Sequence, residues 1–192
     1  MPISGACRRL MPTVFCFATA EGRGPRPVLL MSTGTTATIE LSQPRSSEDW
    51  LEARRLVEEY AASLNLDLAF QNFEHEKEHL ASEYSAPTGA FLIAREHGAV
   101  LGCAALRRFA EGDGEFKRLY VVPAARGRGV GALLARTIVT QARSLGYARL
   151  LLDTLPAMRA AQALYESLGF KPTAAYRFNP LPGAAFFELS LH

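Results

Sequence analysis

The segment RGRGVG, Arg126 to Gly131, most constrains how this chain can fold. It stands between LYVVPAA, an apolar run of strand composition, and ALLARTIVTQARSLGY, whose apolar residues recur at helical spacing. A strand must therefore give way to a helix inside a short glycine-rich turn. The helix that follows begins with backbone amides that have no intrahelical acceptor, at the positive end of its dipole. An anion can approach such a turn closely. Arg126 and Arg128 add cationic donors suited to phosphate oxygens, while Gly129 and Gly131 remove side chains that would hold a diphosphate away. A plain tight turn with solvated arginines accounts for the same residues and stays open at this point.

The surrounding periodicities fix the fold class. TATIELSQ alternates like a half-buried strand, and Ser46 with Asp49 forms a capping signature for a helix over Ser47 to Leu64. FEHEKEHLASEY reads as a second, strongly charged helix. AFLIARE and AVLGCAALRRF are strands joined through His97-Gly98, and GEFKRLYVV is the next strand. Beyond the turn, Val130, Leu134, Ile138, Ala142 and Leu145 share a helical face that Gly146 closes. ARLLLDT is a buried strand, AMRAAQALYESLG a helix ended by Gly169, and AAFFELSL a closing strand. The order β-α-α-β-β-β-α-β-α-β-β is that of an α/β domain whose central strand-helix-strand unit is parallel.

A chain of 192 residues, 48 % hydrophobic, suits one core, and residues 36–191 are expected to form that single domain. Residues 1–31 carry CRRLMPTVFCFATA, which superficially resembles a secretory signal but has a proline inside its apolar run. A disordered extension, or a start codon upstream of a natural start at Met31, is the favoured reading. The stretch is too short to span a bilayer, so no membrane association is expected. A net charge of +2 with interspersed acids and bases lacks the basic stripe that nucleic acid requires. Cys7, Cys16 and Cys103 form no metal or disulfide pattern, which favours a reducing, cytoplasmic setting. A homodimer remains open.

Two further motifs compete for the chemistry. HEKEH sets His75 and His79 one turn apart with Glu76 between, the spacing of zinc hydrolases. The run around it has little apolar support and no third ligand nearby, so a solvated helix face is expected, and no metal. Gly127, Gly129 and Ala132 also satisfy a dinucleotide fingerprint, with Asp153 ending the next strand. That fingerprint opens a doubly wound domain, whereas about sixty residues follow it here.

LYVVPAARGRGVG resembles the acetyl-CoA signature of the GNAT superfamily of N-acyltransferases, with Arg126, Gly129 and Gly131 in its fixed places. ALYESLGF is similar to that family's downstream helix-to-strand segment, and the opening strand and helix fit as well. The resemblance implies the GNAT fold, a mixed sheet with splayed central strands flanked by helices, and acetyl-CoA as co-substrate. It implies that the pantetheine arm runs along Leu119, Tyr120 and Val121 and that the diphosphate meets Arg126, Gly127, Arg128, Gly129, Val130 and Gly131.

The implied reaction is acetyl transfer to a primary amine, small molecule or peptide, by direct attack in a ternary complex. A catalytically inactive acyl-CoA sensor is the alternative. The Val121 amide is the candidate oxyanion donor, and Tyr165, at the position of the family's frequent general acid, the candidate donor to the leaving thiolate. Glu115 is either the general base or half of a structural ion pair. Strand alternation puts Glu115, Lys117, Leu119 and Val121 on one face, with Arg118 and Tyr120 opposite. Tyr176, Arg177 and Asn179 are candidates for acceptor contact, Arg177 suiting a carboxylate. Many relatives hold pantetheine with an asparagine where this chain has Met158.

Overall fold

The computed structural model describes residues 38–64 and 72–192. The N-terminal extension and residues 65–71 lie outside them. In chain order the elements are β1 (Glu40–Ser42), α1 (Ser47–Leu64), α2 (Phe73–Glu78), α3 (Leu80–Glu83), β2 (Ala90–Glu96), β3 (Ala99–Ala110) and β4 (Asp113–Val121). A short 3-10 turn (Pro123–Ala125), α4 (Val130–Ser144), β5 (Arg149–Thr154), α5 (Arg159–Ser167), β6 (Lys171–Pro172) and β7 (Ala185–Ser190) follow. One sheet runs β1-β2-β3-β4-β5-β7-β6. Every neighbouring pair is antiparallel except β4 with β5, the two strands joined through α4.

The local signals explain where helices begin and end. At the start of α1 the Ser46 hydroxyl accepts from the Asp49 amide at 3.2 Å, and the Asp49 carboxylate accepts from the Ser46 amide at 3.3 Å. This reciprocal cap satisfies amides that a helix start leaves unpaired. The end of α5 is closed by Phe170 N–H donating to the Tyr165 carbonyl at 3.1 Å, with Gly169 in the left-handed region at φ 91°. The charged segment breaks at His79, so the single helix expected there is two short ones.

Side chains alternate across the sheet into two cores. Ala90, Leu92 and Ala94 of β2 join Leu134, Ile138 and Ala142 of α4 on one face. Phe91 and Ile93 join Leu56 and Val57 of α1 on the other. Truncating a fully buried leucine such as Leu134 to alanine costs about 2–5 kcal/mol.

Strand β4 departs from that alternation. Cys103 pairs with Tyr120 but Ala105 with Lys117, so Arg118 and Leu119 together oppose Ala104, and Arg118 has a φ of 55°. This bulge shifts the strand's faces by one residue. Phe116 lies in the α4-side core while Tyr120, four residues on, lies in the α1-side core. The expectation that Glu115, Lys117, Leu119 and Val121 share a face is therefore corrected. Leu119 and Val121 pack toward α4, while Glu115 and Lys117 alternate with Phe116 toward α1. Gly102 of β3 makes the close approach feasible, because a Cβ there would collide with the Tyr120 carbonyl oxygen.

The pairing of β4 with β5 is brief. It covers Asp113 with Arg149, Gly114 with Leu150 and Glu115 with Leu151, and then stops. Both strands continue on their outer partners, β4 to Val121 beside β3 and β5 to Thr154 beside β7. The sheet is thus forked at its centre. Among the described residues, no helix is long and apolar enough to cross a membrane.

Candidate active site

The fork opens into a cavity lined by Phe116, Lys117, Arg118 and Leu119 from β4 and by Asp153 and Thr154 from β5. Tyr60 of α1, Tyr165 of α5 and Asn179 close its sides. Met158 also reaches it, and its sulfur accepts from the Thr154 hydroxyl at 3.7 Å. Its thioether offers packing surface and only a weak acceptor where an asparagine would offer an amide.

At the end of β4 the polar groups of Val121 face the fork. Val122 N–H donates to the Leu101 carbonyl at 3.0 Å, so the adjacent Val121–Gly102 pair is of the non-hydrogen-bonded type. Consistent with this, the Val121 carbonyl accepts from Arg126 Nε at 3.2 Å. An N–H and a C=O of the same strand residue point the same way, which leaves the Val121 amide directed into the gap.

The glycine turn has the features an anion needs. Gly129 caps α4 at φ 80°, ψ 0°, with no side-chain hydrogen bond across the cap. The amides of Val130, Gly131 and Ala132 therefore begin the helix without intrahelical acceptors. A Cβ on Gly129 would meet nothing within 4 Å, so the space above the turn is open on the protein side. Gly131 instead sits in van der Waals range of Val121 and Leu164, packing the helix against the strand. The two arginines differ. Arg126 lies along the strand end, whereas Arg128 binds both oxygens of Glu96 at 2.6 Å and shares its charge with that carboxylate.

Tyr165 is 7 % exposed, with its ring edge-on to Phe116 at 5.8 Å and tilted against Phe170 at 5.7 Å. Burial, reinforced by Tyr60 and Asp153, pushes its phenol well above the ordinary range. The phenol is held neutral. Its position combines the aromatic packing of a core residue with access to the cavity.

Lys117 links the cavity to a charged cluster beside it. Glu115 is fully buried and accepts from Arg107 Nε at 2.8 Å, Arg177 Nη1 at 2.8 Å and the Tyr176 hydroxyl at 3.1 Å, with Lys117 Nζ at 3.8 Å. Burial alone would raise its pKa. Lys117, Arg107 and Arg177 outweigh it and bring the carboxyl down to about 2. Of the two alternatives left open by the sequence, the ion pair is present, with Arg107 and Arg177. Arg177 and Tyr176 are engaged by Glu115, and Asn179 donates to Asp153 at 2.8 Å. Of the three predicted acceptor residues, Asn179 thus lines the cavity beside Asp153, while Tyr176 and Arg177 bind Glu115.

Sequence patterns overlooked several of these groups. Asp153 figured only as the acid of a dinucleotide fingerprint, although a carboxylate at the end of a parallel strand is where α/β sheets place ligands. Glu76 was expected on a solvated face. It is 2 % exposed, bound to Arg118 and to the Tyr84 hydroxyl, while His75, Glu78 and His79 around it are at the surface. His75 and His79 stack at 4.0 Å, and no group of three or more metal-binding side chains occurs among the described residues. Cys103 is a buried free thiol whose Sγ donates to the Arg118 carbonyl at 3.4 Å.

Comparison with known proteins agrees with this geometry. The Acetyltransferase (GNAT) family pattern matches residues 50–170. An uncharacterized N-acetyltransferase of Schizosaccharomyces pombe is 39 % identical over 157 residues, covering 81 % of this chain and 96 % of its own. An acetyltransferase structure from Streptococcus agalactiae superposes with a TM-score of 0.65 at 23 % identity, covering 79 % of this chain and 98 % of that one. The PaiA N-acetyltransferase of Thermoplasma acidophilum, solved in complex with coenzyme A, gives 0.62 at 18 % identity, covering 79 % and 98 %. Forked sheet, glycine turn and sequence relatives agree, and the chain belongs to the GNAT family of acetyltransferases.

Proposed function

We propose that this acetyltransferase moves an acetyl group from acetyl-CoA to a primary amine, a small molecule or a peptide terminus, by direct attack while both substrates are bound. The observation that carries this reading is the fork between β4 and β5, a cavity lined by Lys117, Asp153 and Tyr165 beside the strand that leads into the glycine turn. Acetyl-CoA supplies an activated carbonyl on a thiol leaving group. The open amides at Val130 and Gly131, with Arg126, would hold its diphosphate. The backbone of Val121 that faces the fork would receive its arm, which would run along Leu119, Tyr120 and Val121 as a strand runs along a sheet edge. A relative's complex with coenzyme A supports the same use of the fold.

Each chemical task then falls to a group of suitable character. The Val121 amide donates to the carbonyl oxygen as negative charge develops there. The Tyr165 hydroxyl protonates the departing thiolate. The amine must lose a proton to attack, and Asp153 on the cavity wall accepts it, while Glu115 anchors the wall through Arg107 and Arg177. Measuring thiol release across an amine panel, beside acetyl-CoA binding, tests the proposal. Binding with no turnover on any amine would favour the sensor alternative, and no binding at all would remove both.

A further inference from the structure

We infer that the acceptor is an α-amino acid with an uncharged, apolar side chain, its carboxylate received by Lys117 and its amine by Asp153. This rests on the amine-acetylating reading above and names the substrate class for the same site. Lys117 Nζ and Asp153 Oδ1 stand 3.7 Å apart on facing strands across the fork, both side chains at 6 % exposure or less, and both line the cavity. One donor-only cation and one acceptor-only anion therefore lie side by side, as the two charged groups of an amino acid do across its α-carbon. Arg177, which the sequence suggested for a carboxylate, binds Glu115 and does not line the cavity, and Arg118, which does, is held through two guanidinium nitrogens by Glu76. Lys117 lines it beside Asp153 at the longer distances of an ion pair.

Charge balance selects the zwitterion over a simple amine. The buried and half-buried ion pairs match the cations Arg107, Lys117, Arg118 and Arg177 with the anions Glu76, Glu83, Glu115 and Asp153, and so balance. A simple amine arrives protonated and would add an uncompensated positive charge to a poorly hydrated site, which is costly. A neutral amino acid adds none. An acidic one would add a negative charge for which the cluster holds no spare cation. Burial draws the Lys117 ammonium down to about 8, and a carboxylate beside it would favour the charged form. Tyr60, Leu64 and Leu181 complete the lining with apolar surface for the side chain.

The test measures acetyl-CoA-dependent thiol release with L-leucine, L-methionine and L-phenylalanine, with the amide and the decarboxylated amine of each, and with L-aspartate. At least one of the three amino acids should exceed its own amide and amine in kcat/KM by about tenfold or more, because a site built to bind a polar group strongly disfavours an analogue lacking it. L-Aspartate should fall below that amino acid. Lys117→Met should collapse the acid-to-amide ratio toward one chiefly through KM, and Lys117→Arg should restore part of it. Amides or plain amines used as well as the acids would overturn the inference while leaving amine acetylation intact, as would turnover of L-aspartate above all three. No release with any amine would overturn the underlying reading too. If Lys117→Met does not fold, the wild-type ratios decide alone.

Discussion

Glu76 of the charged helix α2 grips Arg118 at the bulge of β4 with two parallel hydrogen bonds, Nε to Oε1 at 2.7 Å and Nη2 to Oε2 at 2.5 Å, both side chains 2 % exposed. The contact ties a helix with almost no apolar payload to the strand that shapes the cavity. It also neutralises a guanidinium that sits over the rings of Tyr60 and Phe73.

Removing one member of such a pair leaves the other buried and uncompensated. Glu76→Ala should therefore lower unfolding stability by about 3–5 kcal/mol, far more than a surface ion pair would. A matched loss from Glu58→Ala, at the exposed pair with Arg54, would show that burial is not what matters. Urea unfolding of both variants makes the comparison.

The left-handed backbone of Gly129 and the open space above it make separable demands. Gly129→Glu should abolish binding of coenzyme A, since its carboxylate would repel the diphosphate at the amides of α4. Gly129→Asn tolerates positive φ far better and carries no charge, so it should retain much more affinity. Calorimetric titration distinguishes them, and equal affinity in the glutamate variant and the wild type would place the diphosphate elsewhere.

Tyr165→Phe keeps the ring against Phe116 and Phe170 and removes only the hydroxyl. Turnover should fall on the order of 10²-fold with acetyl-CoA affinity spared. Because burial raises the phenol, Tyr165 stays protonated as pH rises, and the alkaline limb of kcat in the wild type should belong to another group. Unchanged turnover in the variant would take Tyr165 out of the chemistry.

Local signals carried most of the architecture and little of the acceptor wall. The reciprocal cap at Ser46 and Asp49, the His97-Gly98 hairpin and the glycine turn each act within a few residues, so they are visible in the string. The bulge at Arg118 is not, since it depends on Gly102 admitting the Tyr120 carbonyl from another strand. The burial of Glu76 is equally distant in origin, for its partner lies 42 residues on. Charged residues that look solvated in sequence become interior when their counterions arrive from elsewhere in the fold. That is why Asp153 and Lys117 escaped notice as a pair while Gly129 did not.

Glu115 offers a test in pH. Its carboxyl falls from an ordinary 4.5 to about 2 in the folded protein, because the cations around it outweigh burial. The unfolded state thus binds the proton more tightly, and the stabilisation is fully present above about 4.5 and disappears as pH falls toward 2. The unfolding free energy should drop across that window, and Glu115→Gln, which lacks the titrating group, should flatten the slope there while lowering stability at neutral pH. The same shift bears on catalysis. A base with so low a pKa is ionised throughout the working range, so the acid limb of kcat/KM near neutrality must report some other group or the acceptor amine itself. A Glu115→Gln enzyme that loses that limb would restore Glu115 as the proton acceptor and displace Asp153 from the role.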